Sequence, residues 1–203
     1  MKYKAALALL IIAALPAAAG EVLAESGAPP TSATAGIPGL PGLGGPFTLV
    51  DQNGAVRTDQ EFRGKLLFVT FGFAQCSTVC PLQMQRLTQA LALAGPEVAH
   101  QVVPLFITVD PDHDSPEELR HFISAFDPSI IGLTGSHEAI GSVARAYHVH
   151  AVETSQDDAG GSAISHSDME YLMGRDGKFL TLIMPGASAA DIAARLKKYT
   201  SQS

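Results

Sequence analysis

Residues 65–81 have the sequence KLLFVTFGFAQCSTVCP, in which a nearly continuous apolar run is followed by two cysteines and a proline. An apolar run without polar alternation predicts a strand that is buried on both faces in the centre of a sheet. The residues that follow predict a helix over 81–94, because a proline in the first helical turn has no intrahelical N–H bond to lose. Cys76 and Cys80 are therefore predicted to lie at a turn between a buried strand and a helix.

Alternating strand and helix patterns continue on both sides of this segment. Residues 47–50 predict a strand that enters a tight hairpin turn at Asn53-Gly54, because Asn-Gly favours positive φ. The remaining predicted elements are strands over 102–109 and 147–152, a hairpin over 171–184, and helices from Ser115, over 136–147 and over 187–199. This order predicts an α/β fold with a thioredoxin-like central sheet, flanking helices and an added N-terminal β-hairpin.

The first 46 residues differ from the rest of the chain. Residues 1–24 combine a basic start, an apolar run of 15 residues and small residues at the end, which is typical of a secretory signal peptide. An uncleaved membrane anchor is the alternative, although the run is shorter than the roughly 20 residues that span a bilayer. Residues 25–46 contain six glycines and five prolines and predict a linker or tether. The folded domain is predicted over 47–203, in the periplasm or cell envelope.

Composition excludes several classes of protein. The chain has 203 residues and a formal net charge of −7, from 13 Lys and Arg against 20 Asp and Glu. An acidic chain without a basic run is poorly suited to nucleic acid, whose binding depends on cationic contacts to phosphate. Two cysteines are too few for a disulfide scaffold or a four-thiolate zinc site.

The cysteine pair is the strongest chemical signal. The start of a helix favours thiolate over thiol, so both cysteines are predicted to be more acidic than a free cysteine. A spacing of four residues would place both side chains on one helical face, close enough for a disulfide or a shared metal ion. A structural disulfide would close too small a loop to stabilise much. Two thiolates suit Cu(I) or zinc, and they equally suit thiol–disulfide exchange. Met84 continues the spacing, and core packing is the favoured interpretation for it.

A third metal ligand would have to come from elsewhere. His166 lies on a loop just before the predicted hairpin, where it could face the cysteine turn or simply be solvated. Asp110, at the carboxyl end of a strand, would lie beside that turn or serve as a cap. The other histidines are interpreted as exposed side chains of a strand or helix, or have no identified partner: His148 and His150, His100 and His121, and His113 and His137.

Several motifs stand out along the folded domain: GGPFTLVDQNG (44–54), FGF (71–73) with Cys76-x-x-x-Cys80-Pro81, FITVDP (106–111), GLTG (132–135) and His166-Ser-x-x-x-Tyr-Leu-Met173. Together they resemble those of the Sco/SenC group of thioredoxin-fold copper proteins, which help to assemble the CuA centre of cytochrome c oxidase. The resemblance runs from Gly44 to about Tyr199. Ser77 stands where the group usually has proline, a departure that bears on loop stiffness and redox potential but removes no ligand.

The resemblance implies a copper chaperone rather than an enzyme. Cys76, Cys80 and His166 would be the metal ligands, holding Cu(I) or Cu(II), and Asp110 matches an acidic position near them. The implied partner is the CuA-bearing subunit of cytochrome c oxidase, alongside other periplasmic copper chaperones or thiol reductants. Two alternatives remain: a thiol–disulfide oxidoreductase that keeps the target's cysteines reduced, and a copper or redox sensor.

Overall fold

The computed structural model describes residues 42–150, 152–154, 163–165 and 168–202. The strands are β1 (Thr48–Asp51), β2 (Val56–Thr58), β3 (Leu66–Gly72), β4 (Val102–Thr108), β5 (Ile131–Thr134), β6 (Val152–Thr154), β7 (Ala163–Ser165), β8 (Glu170–Met173) and β9 (Phe179–Ile183). The helices are α1 (Val79–Ala94), α2 (Pro96–Ala99), α3 (Pro116–Ile123), α4 (His137–Ala146) and α5 (Ala189–Thr200), with a 3₁₀ turn at Asp59–Phe62. The signal segment and His166 lie outside the described residues.

Seven strands form one sheet in the order β2-β1-β5-β4-β3-β8-β9. Strands β3, β4 and β5 are parallel, whereas β1 pairs antiparallel with β2 and β5, and β8 pairs antiparallel with β3 and β9. Strand β3 has every residue buried, as its apolar sequence predicts. The predicted α/β class, the thioredoxin-like sheet and the N-terminal hairpin are confirmed.

Helices cover both faces of the sheet. One core cluster joins α1, α3 and α5 to the sheet, with Met84, Leu119 and Ile192 each fully buried. The other joins α4 to the opposite face, around Phe71 and Tyr147. None of the helices in the described part of the chain is long and apolar enough to cross a membrane.

Two stretches differ from the sequence-based expectation. The strand predicted over 147–152 is wrong for residues 147–150: Tyr147 follows the end of α4, and His148 has a φ of 55°, which a strand does not allow. Strand β6 includes the last predicted residue, Val152. The Tyr147 ring packs 5.3 Å from the Phe71 ring and 5.2 Å from the Tyr171 ring. Tyr147 is thus held in the core at the end of α4 and does not start a strand. Leu43, within the predicted linker, is buried in the same cluster.

Candidate metal centre

Three chain segments converge at one edge of the sheet. The loop that carries the cysteines follows β3, and the loop 109–115 follows the parallel neighbour β4, so both leave the sheet at its carboxyl edge. Strand β8 runs antiparallel to β3, with Val69 opposite Tyr171, and therefore begins at this same edge. Loops at the carboxyl ends of parallel strands are where open α/β sheets place their sites.

The two cysteines occupy different structural positions. Cys80 lies in the first turn of α1 and is fully buried, whereas Cys76 lies in the loop before the helix and is partly exposed. The prediction that both lie on one helical face is therefore wrong, because α1 begins only at Val79. The backbone nevertheless brings them together, since the Cys80 N–H donates to Cys76 Sγ at 3.3 Å. Both cysteines are free rather than joined in a disulfide.

The pKa values of the two cysteines are shifted in opposite directions. The pKa of Cys76 is lowered to about 5, mainly because the Cys80 thiol donates a hydrogen bond to it, and backbone N–H groups of Cys80, Thr78 and Val79 add to this. The pKa of Cys80 is raised by that same hydrogen bond and by burial. The prediction that both cysteines are unusually acidic is thus confirmed for Cys76 and wrong for Cys80. At Cys80, burial and the neighbouring thiolate raise the pKa by more than the helix N-terminus lowers it.

Strand β3 approaches Cys80 closely. A Cβ atom on Gly72 would lie 2.8 Å from Cys80 Sγ and 2.8 Å from the Phe106 ring on β4. A real Cβ cannot come that close, so the glycine lets the buried sulfur lie directly on the end of the strand. This contact sets how close Cys80 Sγ lies to the end of β3.

Asp114 connects the loop after β4 to the cysteine loop. Its carboxylate is fully buried, and Oδ2 accepts hydrogen bonds from the Ala74 N–H at 2.9 Å and from Thr108 Oγ1 at 2.5 Å. Asp110 instead pairs with His113 of its own loop, whose Nδ1 lies 2.9 Å from Asp110 Oδ1. Sequence reasoning singled out Asp110 and missed Asp114. The signal was the run of alternating acids 110–114, which does not reveal which of them accepts a hydrogen bond from the cysteine loop.

A polar link joins α1 to the start of β8. Gln83 Nε2 donates to the Asp168 carbonyl at 3.0 Å, and Arg86 Nη2 donates to Glu170 Oε2 at 2.9 Å. Sequence reasoning also missed these residues. Their signal is the presence of Gln83 and Arg86 beside Met84 and Leu87 on a helix whose neighbouring positions are buried and apolar.

The third predicted ligand, His166, lies outside the described residues, two positions before Asp168. Within the parts of the chain that the structure describes, no three His, Cys, Asp or Glu side chains are grouped so as to hold a metal ion. Met84 is fully buried in the core, as predicted. The described histidines that the sequence assigned to surfaces are exposed: His100, His121, His148 and His150.

The segments that form this site lie within a region that matches a known protein family. The profile of the family described as SCO1/SenC matches residues 38–201. The chain belongs to the SCO1/SenC family. The resemblance predicted from the sequence is thereby confirmed.

Individual SCO1/SenC relatives show how far the similarity extends. Protein sco1 of Schizosaccharomyces pombe is 34% identical over 166 residues, which cover 79% of this chain and 62% of that protein. The chain thus spans about three fifths of the length of that relative.

Solved SCO1/SenC structures match most of the chain. Bradyrhizobium japonicum ScoI with copper bound has a TM-score of 0.71 and 36% identity, covering 77% of this chain and 99% of that chain. Yeast Sco1 with copper bound has a TM-score of 0.73 and 30% identity, covering 80% and 91%. These two relatives of the same fold therefore have copper bound in their structures.

Proposed function

We propose that this chain is a copper chaperone that binds Cu(I) or Cu(II) through Cys76, Cys80 and His166 and delivers it to the CuA site of cytochrome c oxidase. The observation that carries the proposal is the pair of contacting thiols, one acidic and one buried, at the carboxyl edge of a SCO1/SenC sheet. Relatives of that fold hold copper. The oxidase partner follows from the family resemblance.

The thiol pair suits copper as a cargo. Cys76 is a thiolate at neutral pH and is partly exposed, so its sulfur can meet the incoming ion first. Cys80 loses its proton on binding, and the metal then compensates a negative charge that burial would otherwise penalise. Thiolates and an imidazole are ligands that Cu(I) accepts. Three-coordinate Cu(I) leaves room for the thiolate of a receiving protein, which makes transfer by ligand exchange feasible.

The predicted N-terminal segment supports a partner on the outer side of the cytoplasmic membrane. A signal peptide or anchor over residues 1–24 would place the domain on the outer side of the cytoplasmic membrane. A CuA-bearing domain exposed on that side could be reached through the linker. The proposed role is binding and transfer rather than catalysis.

A Cu(I) titration of the full chain tests the proposal. The fully reduced protein is titrated against a competing Cu(I) chelator, beside Cys76→Ser, Cys80→Ser and His166→Ala. We expect one copper per chain, loss of tight binding in either serine variant, and an affinity at least about tenfold lower in His166→Ala. His148→Ala, which removes an exposed histidine, is the control and should bind as the wild type does. Absence of stoichiometric binding would overturn the proposal.

A thiol–disulfide oxidoreductase is the second candidate, and the opposite thiol pKa values favour it. The Cys76 thiolate would attack a target disulfide, forming a mixed disulfide and expelling one target thiolate. Cys80 would then lose its proton and attack Cys76 Sγ, releasing the second target thiolate. The target gains two electrons, this chain ends with a Cys76–Cys80 disulfide, and an external dithiol must reduce it again.

The two candidates differ in their need for His166. Each protein is mixed with an apo CuA-bearing subunit whose cysteines are either reduced or joined in a disulfide. Copper delivery predicts that Cu(I)-loaded wild type metallates the reduced subunit and that His166→Ala does so poorly. Reduction of the oxidised subunit at equal rates by wild type and His166→Ala would favour the oxidoreductase.

A further inference from the structure

Helix α1 carries two polar side chains toward the start of β8. Gln83 is almost fully buried, and the side chain of Arg86 is 20% exposed. Met84, Leu87 and Ala90 on the same helix are buried in the apolar core. Polar groups at such positions lose their hydration on folding, and this cost is offset only where they form hydrogen bonds within the protein.

Both polar side chains bind the same short segment. Gln83 holds the backbone carbonyl of Asp168, and Arg86 holds the carboxylate of Glu170, which is fully buried. Glu170 Oε1, Gln83 Oε1 and Arg86 Nε have no hydrogen-bond partner among the described residues. An incompletely satisfied buried ion pair contributes little net stability, since apolar side chains would fill the same space without desolvation. Unlike apolar packing, the ion pair requires a defined geometry, and it therefore favours one position of the start of β8 relative to α1.

The position of β8 relative to α1 matters because each of these elements is close in sequence to a proposed copper ligand. Gln83 is three residues after Cys80 on α1, and Asp168 is two residues after His166. The Asp168 carbonyl that binds Gln83 is thus two residues in sequence from the proposed ligand, and two residues span at most about 7 Å. These bonds therefore join the helix that carries Cys80 to the residues that follow His166 in the sequence.

We propose that Gln83 and Arg86 are positioning residues of the metal site: they hold residues 168–170, which follow the proposed ligand His166 in the sequence, next to the helix that carries Cys80. The inference rests on the proposed function only in naming His166 as a ligand. Neither residue touches copper. Each acts through the backbone of residues 168–170.

The test compares matched variants of the full chain. Arg86→Met combined with Glu170→Met replaces the ion pair by apolar side chains, which avoids a lone buried charge. Adding Gln83→Leu removes the bond to the Asp168 carbonyl and gives a triple variant. Arg195→Met is the control, because Arg195 on α5 donates to the Leu182 carbonyl on β9 and contacts neither Asp168 nor Glu170 in the bonds described.

Copper binding is measured as a double-mutant cycle with His166→Ala. We expect the triple variant to bind Cu(I) about tenfold more weakly than wild type, a loss typical of residues that orient a ligand. In the His166→Ala background the same substitutions should cost nothing further, because the ligand they orient is already absent. The Cu(II)-loaded triple variant should also lose imidazole nitrogen coupling in its electron spin-echo spectrum. An equal loss in both backgrounds, or none in either, would overturn the inference.

Hydrogen exchange of the metal-free protein gives a readout independent of copper. Backbone amides of residues 168–172 should exchange faster in the triple variant and at the wild-type rate in Arg195→Met. Unchanged exchange would overturn the positioning role whether or not copper binds. If exchange rises but wild type binds no copper, the proposed function fails and the link is a fold contact only. If copper binds and His166→Ala has no effect, the inference fails while the chaperone proposal stands without that ligand.

Discussion

At the scale of single residues, the site depends on one shared proton. The Cys80 thiol donates to Cys76, which stabilises negative charge on Cys76 and makes loss of the Cys80 proton unfavourable. Backbone N–H groups of residues 78–80 reinforce the difference, because they point at Cys76 rather than Cys80. One sulfur is thus prepared to react and the other is protected until its partner is engaged.

Alkylation rates should show this difference. We expect iodoacetamide to modify Cys76 in the reduced, metal-free protein with a midpoint near pH 5, and to modify buried Cys80 far more slowly. Removing the donor by Cys80→Ala should move the Cys76 midpoint upward, toward the ordinary value for a thiol. Mass spectrometry of the labelled peptide measures both rates. A midpoint unchanged in Cys80→Ala would contradict the assignment of that hydrogen bond as the main cause.

Asp114 should matter for stability more than its acidic neighbours do. Asp114→Ala leaves the buried Thr108 hydroxyl and the Ala74 N–H without their acceptor, which we expect to lower the unfolding free energy by about 2 kcal/mol. Asp112→Ala is the matched control: Asp112 pairs with His137 on the exposed surface, so its loss should change stability by less than about 0.5 kcal/mol. Urea unfolding of both variants measures the difference, and equal effects would contradict the structural role of Asp114.

At the scale of secondary structure, sequence patterns predicted the elements whose residues are uniformly apolar or well capped. Strand β3 follows from its continuous apolar run, and α3 begins where Ser115 and Pro116 predict it, with the Ser115 hydroxyl accepting from the Glu118 N–H. The strand over 147–152 failed at residues 147–150 because its apolar residues serve a different contact. Tyr147 packs among aromatic rings from β3 and β8, which are distant in sequence, and no local pattern reveals them.

The candidate site was predictable only where the chemistry is carried by residue type. Cys76 and Cys80 stand out as soft ligands in any reading of the sequence. Asp114 and Glu170 do not, because their roles depend on which strand lies beside which. The order β4-β3-β8 brings residues 74, 114 and 170 to one edge, and this order is a property of the assembled sheet.

The ion pair between α1 and β8 should make stability depend on pH. Burial raises the pKa of Glu170 to about 7, against the opposing effect of Arg86, from 4.5 in an unfolded chain. The native state then binds more protons than the unfolded state between these values, so stability falls as pH rises from about 4.5 to 7 and levels off above. The fall attributable to Glu170 is about 3 kcal/mol.

Glu170→Gln tests this dependence because the amide does not titrate. The difference in unfolding free energy between wild type and Glu170→Gln, measured by urea unfolding from pH 4.5 to 8, should shift against wild type as pH rises. Glu138→Gln controls for the loss of one negative charge at an exposed position on α4. A difference that stays constant, or shifts in favour of wild type, would show that Arg86 keeps Glu170 ionised in the folded protein.

At the scale of the whole molecule, the proposed ligands come from two separate parts of the sheet. Cys76 and Cys80 follow β3, and His166 precedes β8, its antiparallel neighbour, almost ninety residues later. A copper ion bound by all three would join these segments in the native state. The unfolded chain would have to close that long loop to bind in the same way, which costs loop entropy.

Cu(I) should therefore stabilise the entire fold, and His166 should determine by how much. With free Cu(I) buffered at 100 times its dissociation constant, binding adds up to about 2.7 kcal/mol to the unfolding free energy. The two cysteines, only four residues apart, can still bind Cu(I) in the unfolded chain, so the gain will be smaller than this limit. In His166→Ala the native state keeps only the ligands that the unfolded chain also offers, and most of the gain should vanish. Urea unfolding at fixed free Cu(I) measures it; an equal gain in wild type and His166→Ala would mean that copper is held by the cysteine loop alone.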